Sequence, residues 1–98
     1  MTHDSVDIRL STLRAFLGRI FPRMRLVKVK VQRGTIILTV CVDESLSEEE
    51  RELLAEAGTE IVSDFPSLMI EERVVVSSEK IDAEDIFDEG WVFRRFEP

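Results

Sequence analysis

The chain has 98 residues, of which 44% are hydrophobic and 34% charged, and its net charge is −7. This length fits a single domain over residues 1–98, and the apolar fraction excludes a disordered chain. One cysteine, Cys41, excludes an internal disulfide. No apolar run reaches the roughly 20 residues of a membrane helix, and residues 1–7 do not resemble a signal peptide, so we expect a cytoplasmic protein without membrane contact.

The charges divide along the chain. Residues 1–33 carry eight Lys/Arg against two Asp/Glu, whereas residues 34–98 carry five against eighteen. Overall acidity disfavours non-specific nucleic-acid binding, which depends on neutralisation of phosphates by Lys and Arg. Pairing of the basic third with acidic residues of the same chain is the favoured interpretation, and a basic patch that touches RNA is the alternative.

Residues 6–21 are predicted to form a helix. Large apolar residues recur on one face at helical spacing: Val6, Leu10, Leu13, Leu17 and Ile20. This face is expected to be buried. The opposite side carries the small residues Ser11, Ala15 and Gly18. Close packing against a neighbouring helix of the same chain is favoured for that side, with a dimer or partner contact as the alternative.

Residues 24–32 and 35–42 alternate between two sets of side chains, which predicts a β-hairpin. Arg33-Gly34 is the two-residue turn, because Gly supplies the positive φ that such turns require. The turn fixes a register with three apolar pairs on one face: Val31 with Ile36, Val29 with Leu38, and Val27 with Val40.

Residues 47–63 are predicted to form the second helix, which begins at a capping box of Ser47 and Glu50. Residues 67–77 are predicted to form a third strand, in which Glu72 indicates a bulge or a strand that twists into solvent. Residues 79–88 are predicted to form a loop or short helix, and residues 91–96 are predicted to form the last strand.

The fold class is therefore α+β with element order αββαββ. We expect a two-layer sandwich, with an antiparallel sheet of strand order 2-1-3-4 and two helices on one face. This order sets Lys28 and Lys30 opposite the region of Glu71 and Glu72, a favourable pairing of charges.

The second helix carries the strongest candidate for a functional surface. Its carboxylate stripe consists of residues at four-residue spacing with one neighbour beside them: Glu48, Glu49, Glu52, Glu56 and Glu60. Like charges at this spacing cost roughly 0.2–0.5 kcal/mol per pair in an isolated helix. A docking surface for a basic protein is one interpretation, and a solvated face that maintains solubility is the other. A row of carboxylates does not surround a cation, so neither a metal nor a cofactor is expected.

Two further groups follow near the carboxyl end. A second acidic cluster contains Asp82, Glu84, Asp85, Asp88 and Glu89, and its spacing does not match an EF-hand loop. It is either a polar loop or an extension of the acidic surface. Trp91 and the aromatic and Arg residues after it favour sheet packing, with a protein interface or nucleic-acid stacking as alternatives.

No catalytic residues are predicted. His3 is the only histidine and lies near the terminus, which disfavours Cys-His and Ser-His-Asp sites. Cys41 alternates with the apolar residues of its strand, and no glycine-rich phosphate loop is present. The chain is therefore not expected to be an enzyme.

In size, acidity and layout, with a Glu-lined helix and the closing segment 89–97 (EGWVFRRFE), the chain resembles the immunity proteins of bacterial toxin systems, of the contact-dependent inhibition and colicin types. The resemblance implies an antitoxin that binds a cognate toxin domain, commonly a basic nuclease. The expected contact residues are the carboxylate stripe together with Asp82, Asp85, Asp88 and Trp91. The alternatives are a small RNA- or ribosome-associated module and a structural homodimeric domain.

Overall fold

The structure is a computed structural model that describes residues 5–81 and 90–97. Its elements in chain order are α1 (Ser5–Ala15), β1 (Met24–Gln32), β2 (Thr35–Val42), α2 (Glu48–Ser63), β3 (Met69–Val76) and β4 (Trp91–Arg94). The predicted order of elements is confirmed. The first helix is shorter than predicted because residues 16–19 form turns, where Gly18 has a φ of 79°.

The β1–β2 hairpin has the predicted register. Val31 pairs with Ile36, and the pairing continues without a shift to Leu26. The turn residues Arg33 and Gly34 both have positive φ, 50° and 76°. Positive φ at both central residues is the geometry whose twist matches that of the flanking strands, so the turn and the apolar pattern specify the same pairing.

The four strands form one mixed sheet of order β3-β2-β1-β4. β1 pairs antiparallel with β2 and β4, whereas β2 pairs in parallel with β3. The predicted antiparallel order 2-1-3-4 is therefore wrong. The predicted pairing of Lys28 and Lys30 with Glu71 and Glu72 is also wrong, because the strand that carries these glutamates lies beside β2 and not beside β1.

The residues of β2 and β3 account for this order. Ile36 and Ile37 point to opposite faces of β2 and are both buried, as is typical of an interior strand with a parallel neighbour. β3 carries Glu71, Glu72 and Arg73 in succession and is exposed at every position except Ile70. A charged, exposed strand is typical of a sheet edge.

Glu72 faces α2 without a bulge. β3 keeps one uninterrupted register with β2 along all eight of its residues, so the strand follows the other predicted alternative and runs exposed to solvent. The Glu72 carboxylate lies against Gly58 of α2, where a Cβ atom would collide with it. The end of this flexible, exposed side chain could move aside, so the contact shows how closely β3 approaches α2 without itself requiring glycine at position 58.

One hydrophobic cluster joins both helices to the sheet. Its members include Ile8 and Phe16 near α1, Leu54 and Ile61 on α2, and alternate residues of β1 and β2 such as Val27. α1 contacts β1, β4 and α2, while α2 contacts β3. The two helices are thus neighbours across a shared core.

The buried side of α1 is the reverse of the predicted one. The five large residues at helical spacing are exposed, with fractions of 51% for Val6, 49% for Leu10, 46% for Leu13, 74% for Leu17 and 52% for Ile20. The small side is buried instead, because Ser11 and Ala15 let α1 approach α2 closely, and Ile8 and Phe16 supply the apolar contact. The predicted packing of the small residues against a helix of the same chain is confirmed for Ser11 and Ala15.

Candidate protein-binding surface

The start of α2 is fixed by its own sequence. The Ser47 hydroxyl accepts from the Glu50 amide at 3.1 Å, and the Ser47 amide donates to the Glu50 carboxylate at 2.8 Å. This is the predicted capping box. It begins the helix at Glu48, so the exposed carboxylates that follow lie in a row along the outer side of α2.

The carboxylate stripe divides into a paired and an unpaired part. Arg19 contacts Glu60 at 2.9 Å and Glu56 at 3.3 Å, and it also donates to the Ala15 carbonyl at 2.7 Å. Its hydrogen bonds to Glu60 and Glu56 raise the pKa of Arg19. In the described part of the chain, Glu48, Glu49 and Glu52 have no such partner. The first half of the stripe is therefore a row of uncompensated negative charge.

The outer side of α1 and of the turns after it is an apolar stripe, made of Val6, Leu10, Leu13, Leu17 and Ile20. Residues three and four apart on a helix are neighbours, so Val6, Leu10 and Leu13 form a continuous strip on α1, and the exposed Leu17 and Ile20 follow in the segment after it. Soluble monomers rarely expose large contiguous apolar patches, and such patches are typical of sites where other proteins bind.

The helices meet at a seam on the small-residue side of α1, and Arg19 links the segment after α1 to the second half of the carboxylate stripe. The Ser11 hydroxyl donates to Asp64 at 2.6 Å, and Arg14 lies 3.8 Å from the same carboxylate. Arg19 joins the end of the apolar stripe to Glu56 and Glu60. An apolar strip beside an acidic row is the composition of a protein interface, with an apolar centre and a polar rim.

Trp91 lies on the β4 side of α1 and is 42% exposed. The Arg9 guanidinium lies over its ring, 5.4 Å from the centroid, which is within the range of a cation–π contact. Trp91 is thus available at the margin of the apolar stripe. The predicted contact residues Asp82, Asp85 and Asp88 lie outside the described residues.

Sequence reasoning missed a cluster of paired charges, which we call the Arg25 cluster and which contains Arg25, Asp43, Arg95 and Glu97. Arg25 is only 3% exposed and donates to both Glu97 carboxylate oxygens at 2.7 Å and to the Ser77 carbonyl at 2.7 Å. Arg95 contacts Glu97 and Asp43, each at 2.9 Å. The hydrogen bonds from Arg25, with those from Arg95, lower the pKa of Glu97 to about 2.

The Arg25 cluster holds β4 against β1 and so contributes to the strand order. Leu26 pairs with Arg94, which brings the residues after β4 beside Arg25. One sequence signal was available. Arg25 stands among the apolar residues Met24, Leu26 and Val27 at the start of a predicted strand, and an arginine that is buried there requires a carboxylate partner.

The favoured interpretation of the charge split is confirmed for four of the basic residues. Arg14, Arg19, Arg23 and Arg25 all lie within 4 Å of carboxylates from later in the chain. These pairs neutralise much of the cationic surface that contact with RNA would require. Within the described part of the chain, Glu48, Glu49 and Glu52 at the start of α2 remain unpaired, ahead of the residues that contact Arg19.

Two further observations concern other chemistry. Within residues 5–81 and 90–97, no group of three His, Cys, Asp or Glu side chains is placed to hold a metal ion. Over the same residues, no helix has the length and apolar character needed to cross a membrane. Cys41 is half-buried on the sheet.

The model of the family described as MafI2 immunity protein matches residues 5–97, nearly the whole chain. No curated protein matches the chain.

Proposed function

Since the chain belongs to the MafI2 immunity protein family, we propose that it neutralises a cognate toxin domain by binding to it, without catalysis of its own. The family match supports a toxin as the partner. The further step, to a basic toxin domain of the nuclease type, is supported by the surface charge. A protein that acts on nucleic acid presents Lys and Arg to phosphates, and carboxylates on an inhibitor are complementary to those same residues.

The observation that carries the proposal is the exposed apolar stripe of α1 and the segment after it, which Arg19 links to the carboxylate stripe of α2. We infer that both helices cover one face of the sheet, because they share a core cluster with one side of β1 and β2. Their outer sides then form one surface, with the apolar stripe on α1 and the carboxylates on α2. The apolar part supplies buried area, and the unpaired Glu48, Glu49 and Glu52 accelerate the encounter with a basic partner.

The remaining contact residues extend this surface. Trp91 lies beside α1 as an aromatic anchor, a residue type enriched among the energetically dominant contacts of interfaces. Asp82, Asp85 and Asp88 belong to the proposal on their sequence alone. A cytoplasmic location follows from the same proposal, because an immunity protein must meet the toxin where the toxin acts.

The test is co-expression of this chain with the toxin domain encoded by the adjoining reading frame. The expected results are protection of the growing cells and co-purification of a complex whose association rate falls steeply as salt is added. Absence of protection and of a complex would contradict the proposal. The homodimer alternative is tested on the free chain by light scattering, because the apolar stripe is the surface through which two copies would pack. A stable dimer with the stripe buried would favour that alternative.

A further inference from the structure

A groove lies between α2 and β3, on the far side of α2 from α1. Its volume is about 420 Å³, within the size range of ligand-binding clefts. Leu46 and Leu54 supply one apolar wall, and Val74 and Val76 supply the other. These walls are apolar, and Ser45, Arg51 and Glu72 add polar groups to the lining of the open groove.

The groove runs beside an unpaired sheet edge. β3 is the last strand of the sheet, and no strand in the described ranges pairs with its outer side. About half of the amide and carbonyl groups of an edge strand point away from its single neighbour. An extended chain added at this edge would alternate its side chains, so that every second one would enter the groove beside Glu72, Val74 and Val76.

Glu72 gives the groove a chemical preference. Its carboxylate is pressed against Gly58 and has no hydrogen-bond or ion-pair partner among the described residues. Desolvation raises the pKa of Glu72. Glu72 remains exposed, so the cost of this desolvation to folding is small. A cationic side chain that covers the groove would pair with the carboxylate as it loses more of its water.

Arg51 also lines the groove and likewise has no described side-chain partner. It precedes Gly58 by seven residues, which is about 10 Å along a helix. The groove thus has a negative group near Gly58, apolar side chains between, and a positive group two turns away. A strand whose alternate side chains run basic, apolar and acidic matches this order.

A second copy of the chain fits the edge less well. Directly opposed residues of two strands point to the same face, so a second β3 would present only Ile70, Glu72, Val74 and Val76 on the groove side. None of these is a cation that could pair with Glu72. The charge pattern of β3 therefore disfavours self-pairing and favours a different chain.

We propose that the α2–β3 groove receives an extended segment of the partner, which pairs with the outer edge of β3 and sets a Lys or Arg beside Glu72 and an apolar side chain over Val74. The inference depends on the proposed function, because the segment belongs to the toxin domain. It adds a directional, backbone-mediated contact to the side-chain surface on the outer sides of α1 and α2.

The test compares Glu72→Gln with Glu71→Gln in binding to an inactivated toxin domain from the adjoining reading frame. Both variants lose one carboxylate from the same strand, but only Glu72 faces the groove. We expect Glu72→Gln to weaken binding about tenfold, as for the loss of one desolvated charge pair, and Glu71→Gln to change it less than about twofold. Glu72→Gln removes a desolvated charge, so the free protein is expected to remain folded.

Hydrogen exchange of the wild-type complex supplies the second measurement. The amides of β3 that point outward should gain protection when the toxin domain binds. Equal affinities for the two variants, with unchanged exchange along β3 in a complex that does form, would overturn the groove proposal alone. If the wild-type chain binds no toxin domain at all, the proposed function and this inference fail together. A free chain that dimerises through β3 would also overturn it.

Discussion

The carboxylates of this chain lie in two regions that differ in how completely their charge is matched. In the Arg25 cluster, Glu97 and Asp43 contact two arginines, one of which is almost fully buried. On the first turns of α2, Glu48, Glu49 and Glu52 are exposed and have no described counter-ion. The first region has the organisation of a structural element that fixes a strand. The second has the organisation of a surface on which a cationic group of another molecule could bind.

The two regions should therefore respond to substitution in opposite ways. Changes in the Arg25 cluster should lower the free energy of unfolding and leave the intrinsic affinity for a partner unchanged. Changes at the start of α2 should leave stability unchanged and alter association. A substitution in the Arg25 cluster that changed the affinity, or one at the start of α2 that changed stability, would contradict this distinction.

The largest expected effect is that of Arg25→Met. The substitution leaves Glu97 without its main partner beside a buried site, and breaking one side of a buried ion pair costs about 3–5 kcal/mol of stability. Denaturant unfolding measures this loss. Arg73→Met is the matched control, because Arg73 pairs with Glu71 at an exposed site, and its loss should cost less than about 1 kcal/mol. Similar losses for both variants would show that the Arg25 cluster does not stabilise the fold.

The second effect is the dependence of stability on pH. The pKa of Glu97 is about 2 in the folded protein, against an ordinary value of 4.5. A lowered pKa means that the stabilisation is complete above pH 4.5 and is lost as the pH falls towards 2. Its upper limit is about 3 kcal/mol, reduced by solvent screening of the partly exposed carboxylate.

The measurement is the free energy of unfolding from pH 5 to pH 2, compared between the wild-type chain and Glu97→Gln. The two stabilities should differ most at pH 5 and converge near pH 2, because protonated Glu97 and Gln are both neutral. A constant difference over this range would contradict the assignment of the lowered pKa to Glu97.

The third effect concerns the unpaired region and is seen in association kinetics. Glu52→Lys/Glu56→Lys should slow binding to the toxin domain at low salt by about tenfold or more, because electrostatic steering depends on this charge. Stability should change by less than about 1 kcal/mol, since both side chains are exposed and only the contact of Glu56 with Arg19, which keeps Glu60 as a partner, is lost. Glu71→Lys/Glu79→Lys is the control with the same change in net charge away from α2. Equal slowing by both pairs would assign the effect to net charge and not to the stripe.

The difference between the regions also shows how much the sequence predicts. The order of elements, the hairpin register and the capping box depend on neighbours in the chain, and all three were correctly predicted. The position of β3 depends on which edge of the hairpin is free, which local pattern does not specify. The sequence signals that favour the observed order are the adjacent isoleucines Ile36 and Ile37, which make both faces of β2 apolar, and the charged run of β3. The predicted order relied on the apolar alternation along one face of each strand, and neither signal is part of that pattern.

The candidate site was predicted in part for a related reason. The carboxylates of α2 are recognisable from spacing, but their pairing with Arg19 depends on how α1 packs. The apolar stripe was predicted to be core, because the rule of amphipathic helices assigns the larger apolar face to the interior. In this chain Ser11 and Ala15 permit a closer approach to α2. The larger face is left outside, where a partner would cover it.

The smallest expected effect tests whether the binding surface includes the apolar stripe of α1 and the segment after it. Leu17 is 74% exposed, so Leu17→Ser should change stability by less than about 0.5 kcal/mol. If the apolar stripe lies in the interface, the same substitution removes buried apolar area from the complex and should weaken toxin binding by about fivefold, mainly through faster dissociation. Met69→Ser, at a side chain 73% exposed on β3, is the control of equal exposure. Because its side chain lies on the face of β3 opposite Glu72, it should leave affinity unchanged. Equal affinities for the two variants would confine the binding surface to the carboxylates of α2 and leave the exposed apolar stripe to another partner or a second copy of the chain.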